Sequence, residues 1–206
     1  MRRTLWIPLA ALCLMIAALL LMPPERHLGR LLALIYVHGT LVRTGIVLFV
    51  MGAIAGAIAL IKDSPDAWAW TYALQATSLG AWLSGFIISF YPSYVTWGTL
   101  VAWSEPRTQM VVKVIAIATM VFLVARWLGD HRIVAGASVV IGLIVPLLVW
   151  RTGVIRHPID PVGTSPSVAL RTAYTVALFC MIVIGVWVTA QVAHHYRTHQ
   201  HVHGTL

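Results

Sequence analysis

Long apolar runs separated by short polar stretches dominate this chain. The runs cover residues 5–22, 32–61, 68–90, 110–127, 133–150 and 168–192. Each of them reaches or exceeds the lower end of the roughly 17–25 apolar residues that a helix needs to cross the hydrocarbon core of a bilayer. The pattern therefore predicts an all-α, polytopic membrane protein, a bundle of about six transmembrane helices within one membrane domain over residues 1–206.

Prolines and polar residues mark where these helices should end. Pro23 and Pro24 follow the first run, and proline cannot continue the helical hydrogen-bond ladder. Pro92 interrupts the chain after the third run, and Pro146 should kink the fifth helix. The aromatic segment 94–109 is too irregular to span, so we expect it at the membrane interface. The polar tail from residue 194 onward is expected to fray.

Each crossing changes the side of the membrane, so the order of the helices determines which loops share a face. Segment 94–109 and the loop 151–167 should lie on one face, and both termini on the other. Lysines and arginines are evenly divided between these faces, so the positive-inside rule does not orient the bundle. The basic residues Arg2 and Arg3, beside the first span, favour cytoplasmic termini.

The start of the chain also has features of a signal peptide, a basic beginning followed by an apolar centre. However, the apolar centre is long, and Pro23-Pro24-Glu25-Arg26 follow it in place of a small-residue cleavage site. We therefore predict a retained first helix.

Composition excludes a soluble protein. Of the 206 residues, 60% are hydrophobic and 10% are charged, whereas a soluble domain has roughly 25% charged residues. A net charge of +8 would suggest nucleic acid in a soluble protein, but here the basic residues mostly flank the apolar runs. We expect the lipid bilayer as the surrounding partner and no nucleic acid.

The chain offers little catalytic chemistry. It has no Ser/His/Asp arrangement, no phosphate-binding glycine loop and no haem-attachment signal of the Cys-x-x-Cys-His type. With six acidic residues in all, hydrolysis by paired carboxylates is not expected. Cys13 and Cys180 lie in separate apolar runs as small hydrophobes, and the histidines of the tail predict adventitious metal affinity. We predict that the protein is not an enzyme.

Two histidines are candidates for function. His38 lies near the start of the second helix and His157 in the loop before the sixth, on the same predicted face. An ionisable residue at membrane depth is a functional candidate by default. Two histidines from different helices suit the axial ligation of a haem iron. Isolated interfacial histidines are the alternative, because the sequence does not show that the two meet.

Aromatic and basic residues near these histidines have two interpretations each. Trp97 and Trp103 could stack on a flat macrocycle or belong to the aromatic belt at the lipid headgroups. Arg43 and Lys113 lie inside apolar runs. They could snorkel to the interface or pair with haem propionates or with Glu105.

The segment from Trp97 to Arg107, which reads WGTLVAWSEPR, resembles the tryptophan-rich signature of haem-handling proteins of cytochrome c maturation, of the CcmC type. The residues in register with the family pattern are Trp97, Gly98, Thr99 and Trp103. Glu105 and Arg107 echo its acid-x-Arg pair one position later. The departures are Leu100 and Val101 in place of two tryptophans, and Ser104 in the usual place of the acid.

The resemblance extends over roughly residues 32 to 190, since Tyr36-Val37-His38 and Ile155-Arg156-His157 stand where the family has its histidines. It implies that His38 and His157 are the axial ligands of haem b. It also implies that the tryptophan segment, with Gly98, Glu105 and Arg107, presents the haem edge to a haem chaperone. The location implied is the inner membrane, with the haem site on the periplasmic side and the termini in the cytoplasm.

Three hypotheses follow. The first is a haem-binding protein of cytochrome c biogenesis that passes haem to a chaperone. The second is a haem b electron-transfer subunit that keeps its haem within a larger oxidoreductase complex, which the departures from the tryptophan pattern favour. The third is a haem-free structural subunit that uses the same fold only for packing.

Overall fold

The computed structural model describes residues 4–156 and 162–203, and in these residues the chain forms seven helices. They are α1 Trp6–Leu21, α2 Leu31–Lys62, α3 Pro65–Ile88, α4 Phe90–Trp97, α5 Pro106–Trp127, α6 His131–Arg151 and α7 Val168–His203. Five segments are long and apolar enough to cross a membrane: α2, α3 continued by α4, α5, α6 and α7. Helix α1 is a shorter apolar helix of 16 residues. The chain is a multi-pass, all-α membrane protein, which confirms the predicted fold class.

The bundle has two ends with different contents. We call one the histidine end: it contains His38 near the start of α2, the connection 98–105 between α4 and α5, and the loop 152–156 after α6. We call the other the terminal end: it contains the turns at 63–64 and 128–130 and the last part of α7. Contacts between 98–105 and 152–156 confirm that these two connections share an end, as alternate crossing predicts.

The aromatic segment 94–109 is more regular than its sequence suggests. Residues 94–97 belong to α4 and residues 106–109 to α5, so the irregular connection is only 98–105. The backbone continues from α3 into α4 because Ser89 is α-helical and its N–H reaches the Gly85 carbonyl at 3.1 Å. Pro92 is tolerated in the first turn of α4, where its missing N–H costs little.

Short polar motifs start two of the helices. Ser64 accepts a hydrogen bond from the Ala67 N–H at 3.3 Å, and Pro65 occupies the first helical position of α3. Asp130 accepts from the Arg132 N–H at 2.7 Å and so caps α6. These caps satisfy amides that the helix itself leaves without a partner.

Helix α2 lies at the centre of the bundle and contacts α3, α6 and α7. Glycines allow close approach: a Cβ at Gly56 would come within 2.7 Å of the Ala135 carbonyl oxygen. In the same interface Gly142 of α6 lies directly against the backbone carbonyl of Phe49. Small residues at the contact allow two membrane helices to pack backbone to backbone.

Polar side chains also connect helices inside the bundle. The Gln75 amide donates to the Val134 carbonyl at 2.9 Å and to the Ser138 hydroxyl, which joins α3 to α6. The hydroxyls of Thr77 and Thr189 share a 2.7 Å hydrogen bond between α3 and α7. Such bonds contribute on the order of 1 kcal/mol each to helix association in a membrane.

The polar tail, which the sequence predicted to fray, is helical as far as the structure describes it. Helix α7 continues to His203, and its extension docks on the terminal end. The Tyr196 ring stacks on Tyr72 with 5.2 Å between centroids, and the Arg126 guanidinium lies 5.2 Å and 5.3 Å from the centroids of these two rings. Arg197 pairs with Asp66 at 3.0 Å. Packing on aromatic rings, which helical periodicity does not report, explains why this part of the tail is ordered.

Candidate functional site

His38 lies in the second turn of α2, and its ring is hydrogen-bonded to the neighbouring helix. Its Nδ1 lies 2.8 Å from the backbone carbonyl oxygen of Gly85 in α3. A carbonyl oxygen can only accept a hydrogen bond, so Nδ1 must carry the proton. When the ring is neutral its lone pair is therefore on Nε2, and this is the form in which histidine binds a metal.

The position of this ring follows from the packing of α2 on α3. His38, Val42 and Gly45 are spaced by four and three residues and so share the face of α2 that meets α3. A Cβ at Gly85 would lie 3.1 Å from the Val42 side chain. Gly85 thus keeps α3 close enough for its carbonyl to reach the imidazole. Nothing in the sequence distinguishes this glycine from the others.

A second face of α2 at the same depth contacts α7. The rings of Tyr36 and Tyr174 meet edge to face with 4.9 Å between centroids, and the Arg43 guanidinium lies 5.2 Å above the Tyr174 ring. Neither sequence interpretation included this stacking, which holds the cation of the exposed Arg43 against α7. Lys113, the other cation in an apolar run, is exposed on α5.

The predicted tryptophan segment lies at the same end of the bundle as His38. Gly98 ends α4 with φ of 72°, a conformation that favours glycine. The connection that follows is bonded to both flanking helices, by Ser93 Oγ to the Thr99 carbonyl at 2.6 Å and by Gln109 Nε2 to the Trp103 carbonyl at 2.8 Å. These bonds give residues 98–105 a defined structure.

The two tryptophans of this segment have different surroundings. Trp103 is 60% exposed at the surface. Trp97 is half-buried, and the Arg156 guanidinium lies 5.9 Å from its ring centroid. Trp97 therefore contacts the loop that leads toward His157, whereas Trp103 is available at the surface.

Glu105 joins the connection 98–105 to the loop after α6. Its side chain is fully buried although it stands at the N-cap position of α5. The carboxylate accepts from the Arg156 N–H at 2.6 Å and from the Ile155 N–H at 3.3 Å to each oxygen. Arg107, predicted beside it, lies half-buried in the first turn of α5.

His157, the second predicted ligand, lies outside the described residues, which resume at residue 162. The described chain reaches Arg156, so the loop is followed to the residue that precedes this histidine. The structure thus brings residues 98–105 and the approach to His157 together, at the end of the bundle where His38 bonds to Gly85.

The described residues at this end include the possible metal ligands Glu25, His27, His38 and Glu105. They contain no group of three or more His, Cys, Asp or Glu that could hold a metal ion. One nitrogen of the His38 ring is hydrogen-bonded to a backbone carbonyl oxygen, an arrangement that metal-binding histidines commonly have. A macrocycle that supplies the remaining metal ligands matches this donor set, as in haem proteins.

An apolar groove of about 370 Å³ lies elsewhere, between α2 and α3. Its lining residues are Met51, Ile54, Ala55, Ile58, Ala67, Trp70 and Leu74. The groove begins about 20 Å from His38 along the axis of α2, at 1.5 Å per residue. It is therefore separate from the candidate site.

Fold and site together define a multi-pass helical membrane protein that places a hydrogen-bonded imidazole and a tryptophan-bearing connection at one end. No protein-family model matches the chain, and no curated protein matches it.

Proposed function

We propose that this protein binds haem b at the histidine end of the bundle and presents it to a haem chaperone during cytochrome c biogenesis. The observation that carries the proposal is the 2.8 Å hydrogen bond between His38 Nδ1 and the Gly85 carbonyl. That bond directs the lone pair to Nε2 and makes the imidazole more basic, as the outer partner of a metal-bound histidine does. When bound, haem would supply an iron that alternates between ferrous and ferric states.

In this proposal the chain's own residues hold and expose the cofactor. His38 and His157 are the axial ligands, and Gly85 fixes the tautomer of the first. Trp103, at 60% exposure, is the surface that a chaperone would contact. Trp97, Gly98, Glu105 and Arg107 shape the connection that carries it. The resemblance of residues 97–107 to the tryptophan-rich signature supports this assignment.

The proposed location follows from the same resemblance. The protein would lie in the inner membrane with its histidine end toward the periplasm, where cytochrome c is assembled. Its terminal end and both termini would then face the cytoplasm. Reaction of single cysteines placed at the two ends with a membrane-impermeant thiol reagent tests this orientation.

A haem b electron-transfer subunit is the second candidate, favoured by the way residues 98–105 are attached. Glu105 bonds this connection to the loop 152–156, and Arg156 occupies one face of Trp97. A connection bound to the bundle at several points suits a haem that is retained. The partners would then be other membrane subunits of an oxidoreductase complex.

The deciding experiment is the visible spectrum of the detergent-purified protein, oxidised and dithionite-reduced, after expression with ample haem. Wild type should show a six-coordinate, low-spin b-type spectrum that both His38→Ala and His157→Ala abolish. His194→Ala, at an exposed position of the terminal end, is the matched control and should leave the spectrum unchanged. A colourless wild-type protein would exclude haem binding and leave the haem-free structural subunit.

Transfer to apomyoglobin then separates the two haem functions. Release within minutes supports delivery to a chaperone, and retention for many hours supports electron transfer. A reversible midpoint potential together with stable co-purifying subunits would strengthen the second.

A further inference from the structure

The apolar groove between α2 and α3 opens on the outer surface of the bundle. Its volume is about 370 Å³. The α2 wall is a single helical face, since its residues recur every three or four positions: Met51, Ile54, Ala55 and Ile58. Ile54 is 57% exposed and Ile58 is 42% exposed. Apolar side chains exposed on a membrane-spanning helix face lipid, so the groove is open to the hydrocarbon.

Two exposed cations on α2 place this groove in the bilayer. Arg43 and Lys62 are about 29 Å apart along the helix, at 1.5 Å per residue. The hydrocarbon core is roughly 30 Å thick, and basic residues flank it, so these two residues mark its boundaries. Ile58 then lies about 6 Å and Met51 about 17 Å from the Lys62 boundary. The groove therefore extends from the terminal-end boundary to about the middle of the bilayer.

This depth decides what kind of molecule fits. A transmembrane helix of a partner would need a contact face that continues through both leaflets, whereas this groove is confined to one. The acyl chains of a phospholipid reach from the headgroups to the middle of the bilayer. The occupant that matches the groove is therefore a lipid of the leaflet at the terminal end.

Lys62 supplies a positive charge at the mouth of the groove. It lies one turn beyond Ile58 on the same face of α2, and it has no ion-pair partner among the residues that the structure describes. The two acidic residues nearby are already paired, Asp63 with an arginine of α6 at 3.5 Å and Asp66 with an arginine of α7 at 3.0 Å. The charge of Lys62 is therefore available to an anionic headgroup.

Trp70 adds a hydrogen-bond donor to the α3 wall. It is half-buried, lines the groove and lies about 8 Å from the start of α3 at Pro65. Its indole N–H donates to no residue in the described part of the chain, unlike that of Trp68, which donates to Asp63 at 3.2 Å. At this depth the oxygens of a lipid glycerol ester are within the interfacial region where tryptophan is enriched.

We infer that an anionic phospholipid of the leaflet at the terminal end occupies this groove. One acyl chain lies between α2 and α3, and the phosphate pairs with Lys62. Basic residues beside a cleft between transmembrane helices are a recurrent means of holding anionic headgroups. The inference is independent of haem, because the groove and the histidine end are separate.

The first test counts lipids bound to the detergent-purified protein by native mass spectrometry. The probes are phosphatidylglycerol and phosphatidylcholine with identical acyl chains. Wild type should bind one phosphatidylglycerol about fivefold more tightly than phosphatidylcholine, and Lys62→Gln should lose this preference. Lys62→Arg should keep it. Lys113→Gln, at an exposed lysine of α5, is the matched control. Equal affinity of wild type and Lys62→Gln for phosphatidylglycerol would overturn the inference.

The second test fills the groove. Ala55→Leu places three additional carbon atoms in it and should weaken binding of both lipids about tenfold, since it displaces about two methylenes of the chain. Ala57→Leu is the matched control, because Ala57 is exposed on the same helix but does not line the groove. Gel-filtration profiles identify any variant that has not folded. Equal lipid binding by these two variants would show that the chain lies elsewhere.

The third test is made in intact membranes and separates a lipid from a protein occupant. A photoreactive amino acid at position 58, in the wall of the groove, should form adducts with phospholipid that mass spectrometry identifies. Adducts with phosphatidylglycerol at this position, reduced about fivefold when Lys62→Gln is also present, support the inference. Adducts with a second polypeptide in place of lipid would show that a helix covers the groove, and would overturn it.

Discussion

His38 and Gly85 are joined across α2 and α3 by a hydrogen bond of 2.8 Å, and the absence of a side chain at Gly85 makes this distance possible. A Cβ at that position would lie 3.1 Å from the Val42 side chain and 3.5 Å from the His38 carbonyl oxygen. The orientation of the imidazole therefore depends on how closely two helices approach, as well as on the residue at position 38.

The first prediction concerns this close approach. Gly85→Ala should push α3 away from α2, weaken the bond to Nδ1 and lower haem affinity about tenfold, a cost on the order of 1 kcal/mol. Gly80→Ala in the same helix is the control, since a Cβ there meets nothing within 4 Å. Haem titration followed at the Soret band measures both variants. Equal affinity in the two would show that the Gly85 contact does not orient the ligand.

The lengths of the apolar runs predicted the fold well, because a helix that crosses lipid needs a long apolar run whatever other helices it contacts. The runs predicted between residues 32 and 150 correspond to α2, α3, α5 and α6. The connection around Trp97 and Trp103 also lies where alternate crossing places it. The sequence analysis did not predict that α3 continues into α4, because Pro92 was interpreted as a break. A proline in the first turn of a helix costs little.

The candidate site was harder to predict, because its contacts join residues with no periodic relation. The glycine at position 85 carries no signal that it meets His38. The sequence alone does not show whether Glu105 contacts a cation or the backbone amides of a distant loop. The ordered tail, with Tyr196 on Tyr72, likewise depends on a tertiary contact that hydropathy does not record.

The second prediction concerns the interface between α2 and α6. Gly142→Ala places a methyl group against the Phe49 carbonyl and the Ala53 side chain, and should destabilise the protein by about 1–3 kcal/mol. Gly136 lies six residues earlier in the same helix, and a Cβ there meets nothing within 4 Å. Gly136→Ala should therefore be neutral or slightly stabilising. Thermal unfolding in detergent compares the two. Similar midpoints would mean that this interface adjusts without cost.

The third prediction concerns the docked end of α7. Tyr196→Ala removes the stacking on Tyr72 and the contact with Arg126, so the extension should detach while the bundle stays folded. Limited trypsin digestion should then cleave after Arg197 several-fold faster than in wild type. His194→Ala, on an exposed position of the same helix, provides the control. Unchanged cleavage would show that the exposed Arg197–Asp66 pair alone secures this end.

The fourth prediction concerns the loop between α1 and α2 and its pH dependence. Hydrogen bonds from the Leu28 N–H at 2.7 Å and the His27 N–H at 2.8 Å lower the pKa of Glu25 from its ordinary value. A lowered pKa means that the folded loop prefers the ionised carboxylate. Its contribution to loop stability is therefore complete above the ordinary carboxyl pKa and is lost as the pH falls through the lowered one.

Measuring this loop requires amide exchange rates over residues 25–30 across the acidic range, corrected for the intrinsic pH dependence of exchange. Protection of the His27 and Leu28 amides should fall on acidification in wild type and be low and pH-independent in Glu25→Gln. Loss of protection in both proteins at the same pH would therefore assign the transition to another group.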